Sequence, residues 1–153
     1  MSPLMKKVEK AGIKGMIQKR KPFHISNSDF FKETEILRNL FGHLINSPNP
    51  ARHVIIPSVS YGIENVVQNL SKKKGKIVMA AGQFPSNVYP WSANSNYILK
   101  FVTAPKMGGN LVEDWNEEII KAIDDQTAAV SIGQIHWVNG IKYDLTSIRE
   151  KTR

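Results

Sequence analysis

"IIPSVSYGIENVV", residues 55–67, decides how the chain is read. A β-branched apolar run ends in Pro57, passes through Ser58 and Ser60, and enters a stretch with helical apolar spacing. A strand that hands over to a helix through small hydroxyl residues is the junction of a βα unit. In open parallel sheets such junctions lie at the carboxyl ends of strands, where ligands bind. The first turn of the helix offers unpaired backbone N–H groups and a partial positive charge, which suits an anion. Ser58, the Val59 N–H and Ser60 therefore form a candidate phosphate cradle. An ordinary serine N-cap explains the same residues without a ligand. Neither a Gly-Lys-Ser/Thr loop nor G-x-G-x-x-G is present, so a standard nucleotide loop is not indicated.

On either side of this junction the pattern alternates. Asn27 or Ser28 is expected to cap a helix to about Asn46, with Phe30, Leu37, Leu40, Phe41, Leu44 and Ile45 on one face. The two prolines of "INSPNPARH" end it, and His53–Pro57 reads as a short strand. A helix is expected from about Ser60 to Lys74, with Lys72, Lys73 and Lys74 in its last turn and Gly75 just beyond. Cations there suit the negative helix end, so the triplet needs no ligand. Further strands are expected at 76–81, 97–103 and 127–133. Asp114 and Glu117 read as a capping box for a helix to about Asp125, and a last helix starts near Asp144 or Thr146. Alternating strands and helices make an α/β fold with a mostly parallel sheet and flanking helices. A helix after the fourth strand should cross to a further strand, and both faces of a parallel sheet need cover. The few helices cover them poorly, so the sequence reads as the first, incomplete portion of a larger domain.

Composition narrows the function classes. The 153 residues can form one core, and 41% hydrophobic content without a long apolar run excludes a transmembrane helix. There is no cysteine, which excludes disulfides, thiolate metal sites and cysteine nucleophiles; a cytoplasmic setting fits. Lys6, Lys7, Lys10, Lys14, Lys19, Arg20 and Lys21 face only Glu9, a net +6 within the total of +8. Residues 1–25 are read as a solvated basic arm and 26–153 as a partial domain. Nucleic-acid binding is disfavoured because no module fingerprint accompanies the lysines. His24, His43 and His53, read respectively in an extended arm, a helix and a strand start, lack ligand spacing and no metal site is expected.

Two later strand ends repeat the chemistry of the first. "AAGQFPSNVYPW" puts Phe84 at the carboxyl edge, where a flat heteroaromatic ring can stack. "GQIHWVNG" adds Gln134, His136, Trp137 and Asn139. Core packing accounts for the aromatics one at a time, but three such ends in succession suggest one cleft.

These three stretches resemble the N-terminal half of class-V aminotransferases, the fold-type I pyridoxal-phosphate group that includes cysteine desulfurases and kynureninases. The resemblance runs from roughly Phe23 to Arg153. It implies the N-terminal part of the large cofactor-binding domain, with the cofactor phosphate at Val59 and Ser60. Phe84 falls where kynureninase-like members stack a phenylalanine on the pyridine ring. Trp137 is the match for the residue near the ring hydroxyl, and His136 is a candidate on the substrate side. A full-length relative would act as a homodimer on an amino acid or amine through a Schiff base. The aspartate strand and Schiff-base lysine of the family find no counterpart among the sixteen lysines and their contexts here. The chain is thus expected to be truncated before them, to hold pyridoxal phosphate weakly or not at all, and to lack catalytic residues. The alternative is a non-catalytic module that binds a phosphate ligand or a partner; no membrane role is expected.

Overall fold

The computed structural model describes residues 3–105 and 110–152. The first two residues of the basic arm and Arg153, the last of the expected partial domain, lie outside the described residues. The chain divides into two compact units between Ile55 and Ile56.

The first unit contains helices α1 (Lys6–Gln18) and α2 (Asp29–Leu44) and single 3-10 turns at Pro22–His24 and Pro50–Arg52. Every residue of α1 is exposed. His24 lies in the first 3-10 turn, correcting the extended arm expected there: Pro22 presets a turn-forming φ, and the Ile25 N–H closes onto the Pro22 carbonyl. The expected apolar residues of α2 remain largely exposed; Gly42 is its one buried residue, pressed against Pro50. Arg38 Nη2 donates to the Ala51 carbonyl at 2.6 Å and joins α2 to the following turn.

His53–Pro57 is not a strand, although its β-branched residues predict one. The segment is extended without ladder partners, and Val54 is 78% exposed. Side-chain preference sets an extended backbone, but only a neighbouring strand makes it sheet.

The second unit has helix α3 (Val59–Asn69), strand β1 (Gly75–Ala80), helix α4 (Pro85–Ser92), strand β2 (Tyr97–Val102), helix α5 (Leu111–Lys121), strand β3 (Thr127–Val130) and helix α6 (Leu145–Lys151). The three strands form one all-parallel sheet in the order β2-β1-β3. Side chains of β1 alternate between faces, as period two requires. Ile77 and Met79 pack with Val67 of α3 and Trp91 of α4; Val78 and Ala80 pack with Trp115 and Ile119 of α5 and Ile148 of α6. Both faces of the central strand are therefore covered, which the scarcity of helices argued against.

Several boundaries differ from expectation for local reasons. α3 stops at Asn69, so the lysine triplet lies beyond it. Lys73 Nζ still reaches the Gln68 carbonyl at 2.9 Å, while Lys72 Nζ spans to the carbonyls of Asp125 (2.6 Å) and Thr127 (3.0 Å). Gly75 opens β1 instead of closing a helix. Its φ is +138°, and a Cβ would lie 2.6 Å from the Gln126 carbonyl oxygen. α5 begins three residues before Asp114, and no side chain caps it, so the capping box is absent. Glu113 and Asp114 instead occupy the first turn, where carboxylates favour the dipole. Asp144 caps α6 as expected, accepting from the N–H groups of Thr146 and Ser147.

The N-terminal end of the sheet is tied by charge: Lys76 Nζ lies 2.7 Å from Asp124 Oδ2. The hydrogen bond from Lys76 is the main reason the Asp124 carboxyl sits below its usual range; the Ser147 hydroxyl does the same for Asp144. Groups depressed in the folded state contribute stability above their unfolded pKa and lose it as pH falls through the folded value. The melting temperature should hold above about pH 5 and decline below about pH 4. Asp124→Asn should lower the neutral-pH melting point and flatten that decline, as followed by circular dichroism.

Candidate functional site

The connections out of β1 and β3 leave on opposite faces of the sheet. α4 follows β1 on the face of Ile77 and Met79; α6 follows β3 on the face of Val78 and Ala80. Where neighbouring parallel strands send their chains to opposite faces, a crevice opens beyond their carboxyl ends. Residues 81–84 enter it from β1 and residues 131–137 from β3.

Two adjacent side chains clamp two adjacent carbonyls there. His136 Nε2 lies 3.1 Å from the Ala81 carbonyl oxygen, and Trp137 Nε1 donates to the Gly82 carbonyl at 2.7 Å. Because a carbonyl only accepts, Nε2 carries the proton of that bond. His136 Nδ1 faces Asn139 Oδ1 at 3.0 Å, and the same oxygen accepts from the Ile141 N–H. Gly140, at φ +74°, closes the turn from His136 to Ile141. His136 is 5% exposed and packs against Trp115, ring centroids 5.1 Å apart. Its neighbour is different: Trp137 is 58% exposed and meets Phe84, 48% exposed, edge to face at 5.3 Å.

Phe84 is set by the start of α4. Pro85 occupies the first helical position and Phe84 the extended residue before it, as proline requires. Beneath, Ser131 Oγ donates to Asn87 Oδ1 at 2.7 Å and accepts from Trp91 Nε1 at 3.1 Å. This buried brace fastens α4 to the end of β3. Sequence reading missed it, along with Gly82; Asn139 was placed at this edge, though not as the partner of His136, and the Asn139-Gly140 dipeptide carries a recognisable turn signal. Gly82 has φ +74°, and a Cβ there would meet the His136 ring at 3.5 Å.

Ser58, Val59 and Ser60 form the N-terminal turn of α3. Ser58 Oγ accepts from the Tyr61 N–H at 3.2 Å, an N-cap. The N–H groups of Val59 and Ser60 have no intrahelical acceptor, and all three residues are exposed. α3 leads through five residues into the start of β1 and packs on the β1 face, so its N-terminus lies toward the strands' carboxyl ends. No hydrogen bond or ring contact joins this turn to Phe84, Trp137 or His136 among the described residues. Lys72, Lys73 and Lys76 belong to the opposite end of the sheet.

Behind the crevice Tyr143 is 2% exposed, and its hydroxyl has no hydrogen-bond partner; burial pushes its pKa up to about 12. It stays neutral and serves as packing for Trp115. Among the described residues no group of three or more acidic or histidine side chains could hold a metal, and no helix is long and apolar enough to cross a membrane.

The arrangement offers open anion donors, an exposed pair of aromatic rings, and a rigid polar turn holding one of those rings. The exposed faces of Phe84 and Trp137 fit a flat ring, and the Val59 and Ser60 donors fit a phosphate. A model of the class-V aminotransferase family matches residues 11–153. No curated protein and no solved structure matches the chain.

Proposed function

Because the chain belongs to the class-V aminotransferase family of pyridoxal-phosphate enzymes, we propose that it carries the cofactor-binding edge of such an enzyme. The observation that carries the proposal is the exposed Phe84–Trp137 pair at the crevice between β1 and β3. Phosphate would be held by the N–H groups of Val59 and Ser60 and by the serine hydroxyls. Phe84 would stack on the pyridine ring, with Trp137 beside it. When bound, the cofactor supplies an aldehyde for amine chemistry and a ring that accepts electrons.

The chain's own residues bind and orient. His136, buried, held at Nε2 by the Ala81 carbonyl and with Nδ1 against Asn139, is given a positioning role in place of the substrate-side contact expected from sequence. It fixes Ala81 and, through that turn, Gly82 and Phe84. We assign no lysine to the cofactor: those at positions 72, 73 and 76 are engaged at the other end of the sheet. The proposed reading is therefore a portion of an amino-acid-handling enzyme, cytoplasmic and without turnover by itself.

Each charge-assisted phosphate contact contributes about 1.5–3 kcal/mol, and the stack about 1 kcal/mol, against the cost of ordering the ligand. Titration with pyridoxal phosphate, followed by tryptophan quenching, should show weak saturable binding that inorganic phosphate displaces. Phe84→Ala should weaken it about fivefold, the equivalent of ~1 kcal/mol. Borohydride should trap no single lysine, and amine transfer should read blank. Binding indifferent to Phe84→Ala and to phosphate would remove the proposed site.

A further inference from the structure

Asn87 stands at the third position of α4, where asparagine is a poor helix former because its amide competes for backbone groups. Here the amide is engaged across the sheet. Its Oδ1 accepts from Ser131 Oγ at 2.7 Å and its Nδ2 donates to the Ser131 carbonyl at 3.3 Å, so both ends of one side chain meet one residue after β3. The same Nδ2 lies 3.4 Å from Gln83 Oε1, and the Asn87 N–H donates to the Phe84 carbonyl at 2.8 Å. The far end of this tie is firm. Ser131 is buried, its N–H donates to the Val78 carbonyl, and the buried Trp91 indole donates to its hydroxyl. The near end needs it: Phe84 is about half exposed, and among the described residues its ring meets no aromatic except Trp137.

We propose that Asn87 is a positioning residue that sets the spacing of Phe84 from Trp137, and so the width offered to a flat ring. The consequence for a ligand rests on the cofactor reading above; the geometry does not. Trp137 follows β3 and is held by the Gly82 carbonyl, just beyond β1. Phe84 follows β1 and is held, through Asn87, by Ser131, just beyond β3. Each ring of the pair is thus fixed by the strand that the other follows. Loss of either tie frees one ring while the strands stay paired. Asparagine serves both groups of Ser131 because one planar amide carries an acceptor and a donor, and alanine carries neither.

Two measurements on the full chain test this. The first needs no cofactor: the Trp137 indole N–H signal in a proton–nitrogen correlation spectrum, identified by its loss in Trp137→Phe. Phe84→Ala should move that signal by removing a ring current. Asn87→Ala and Ser131→Ala should each move it part of the way in the same direction, and Ser131→Thr, which keeps the hydroxyl, should leave it near the parent position. Ile119→Val, which trims the other face of the sheet, should lower the melting temperature without moving the signal. The second measurement is the pyridoxal-phosphate titration. Asn87→Ala should weaken binding about threefold, inside the roughly fivefold lost with the ring itself, and should cost nothing further in a Phe84→Ala background. Asn87→Ser replaces any alanine variant that does not fold. A Trp137 signal indifferent to both Asn87 and Ser131 overturns the proposal, as does a loss of affinity that persists undiminished without Phe84. A parent chain that binds no cofactor removes the function proposed above, and the Trp137 signal then still decides the role of Asn87.

Discussion

Gly75→Ala is expected to unfold the sheet unit under conditions where the parent chain is folded. Gly75 has φ +138°, and its neighbour across the sheet is the Gln126 carbonyl oxygen, 2.6 Å from where the new Cβ would sit. A flexible side chain could swing aside; backbone cannot without breaking the bond from Lys76 N–H to that same carbonyl. Strain at such a φ costs about 1–3 kcal/mol, and displacing a ladder bond roughly another 1 kcal/mol. A loss of about 3 kcal/mol is a large share of the ~5–15 kcal/mol that holds an ordinary domain. Urea unfolding monitored by circular dichroism checks it. Gly12→Ala provides the contrast, because nothing lies within 4 Å of its position on exposed α1. It should leave the midpoint of the sheet unit unchanged.

Trp115→Ala should cost about 3–5 kcal/mol, the range for emptying a buried aromatic site. Trp115 is 2% exposed, touches both His136 and Tyr143, and gives its indole N–H to Val102 O at 3.0 Å. Truncation leaves a cavity behind the crevice and loosens the ring that holds Ala81. Trp115→Phe keeps most of the volume and loses the hydrogen bond, so it should cost less than half as much. Measuring both variants separates packing from the bond. A Trp115→Ala chain as stable as the parent would mean the second face of the sheet contributes little.

The three paired strands were legible, the buried β1 most plainly and the part-exposed β2 and β3 by their place between helices. β1 reads as an uninterrupted apolar run, and its pairing with β2 and β3 follows from the helices between them. Phe84 and Trp137 were also readable, since each follows a strand and so falls at the carboxyl edge. What escaped depends on partners distant in sequence. Residues 53–57 have the composition of a strand, but no local signal tells whether a neighbour exists. α3 was drawn too long because lysines suit a helix end by charge, whereas Lys72 is engaged by carbonyls 53 and 55 residues away. α4 was hidden by its two prolines: Pro85 is tolerated at the first position, and Pro90 lies close to the end. His136 was read as a substrate-side candidate from its place after a strand; that it is buried against Trp115 is a contact sequence cannot register.

The lysine ties at one end of the sheet and the aromatic crevice at the other divide responsibilities along its length. Heat resistance can be altered by substitutions around Lys72, Lys76 and Asp124, roughly one β1 length from Phe84. On the proposed reading, ligand preference would be set around Gly82, Phe84 and Trp137 while those ties stay intact. On that reading, stability and ligand preference can change by separate routes, in either order. A laboratory selecting for one trait should find its mutations clustering at one end.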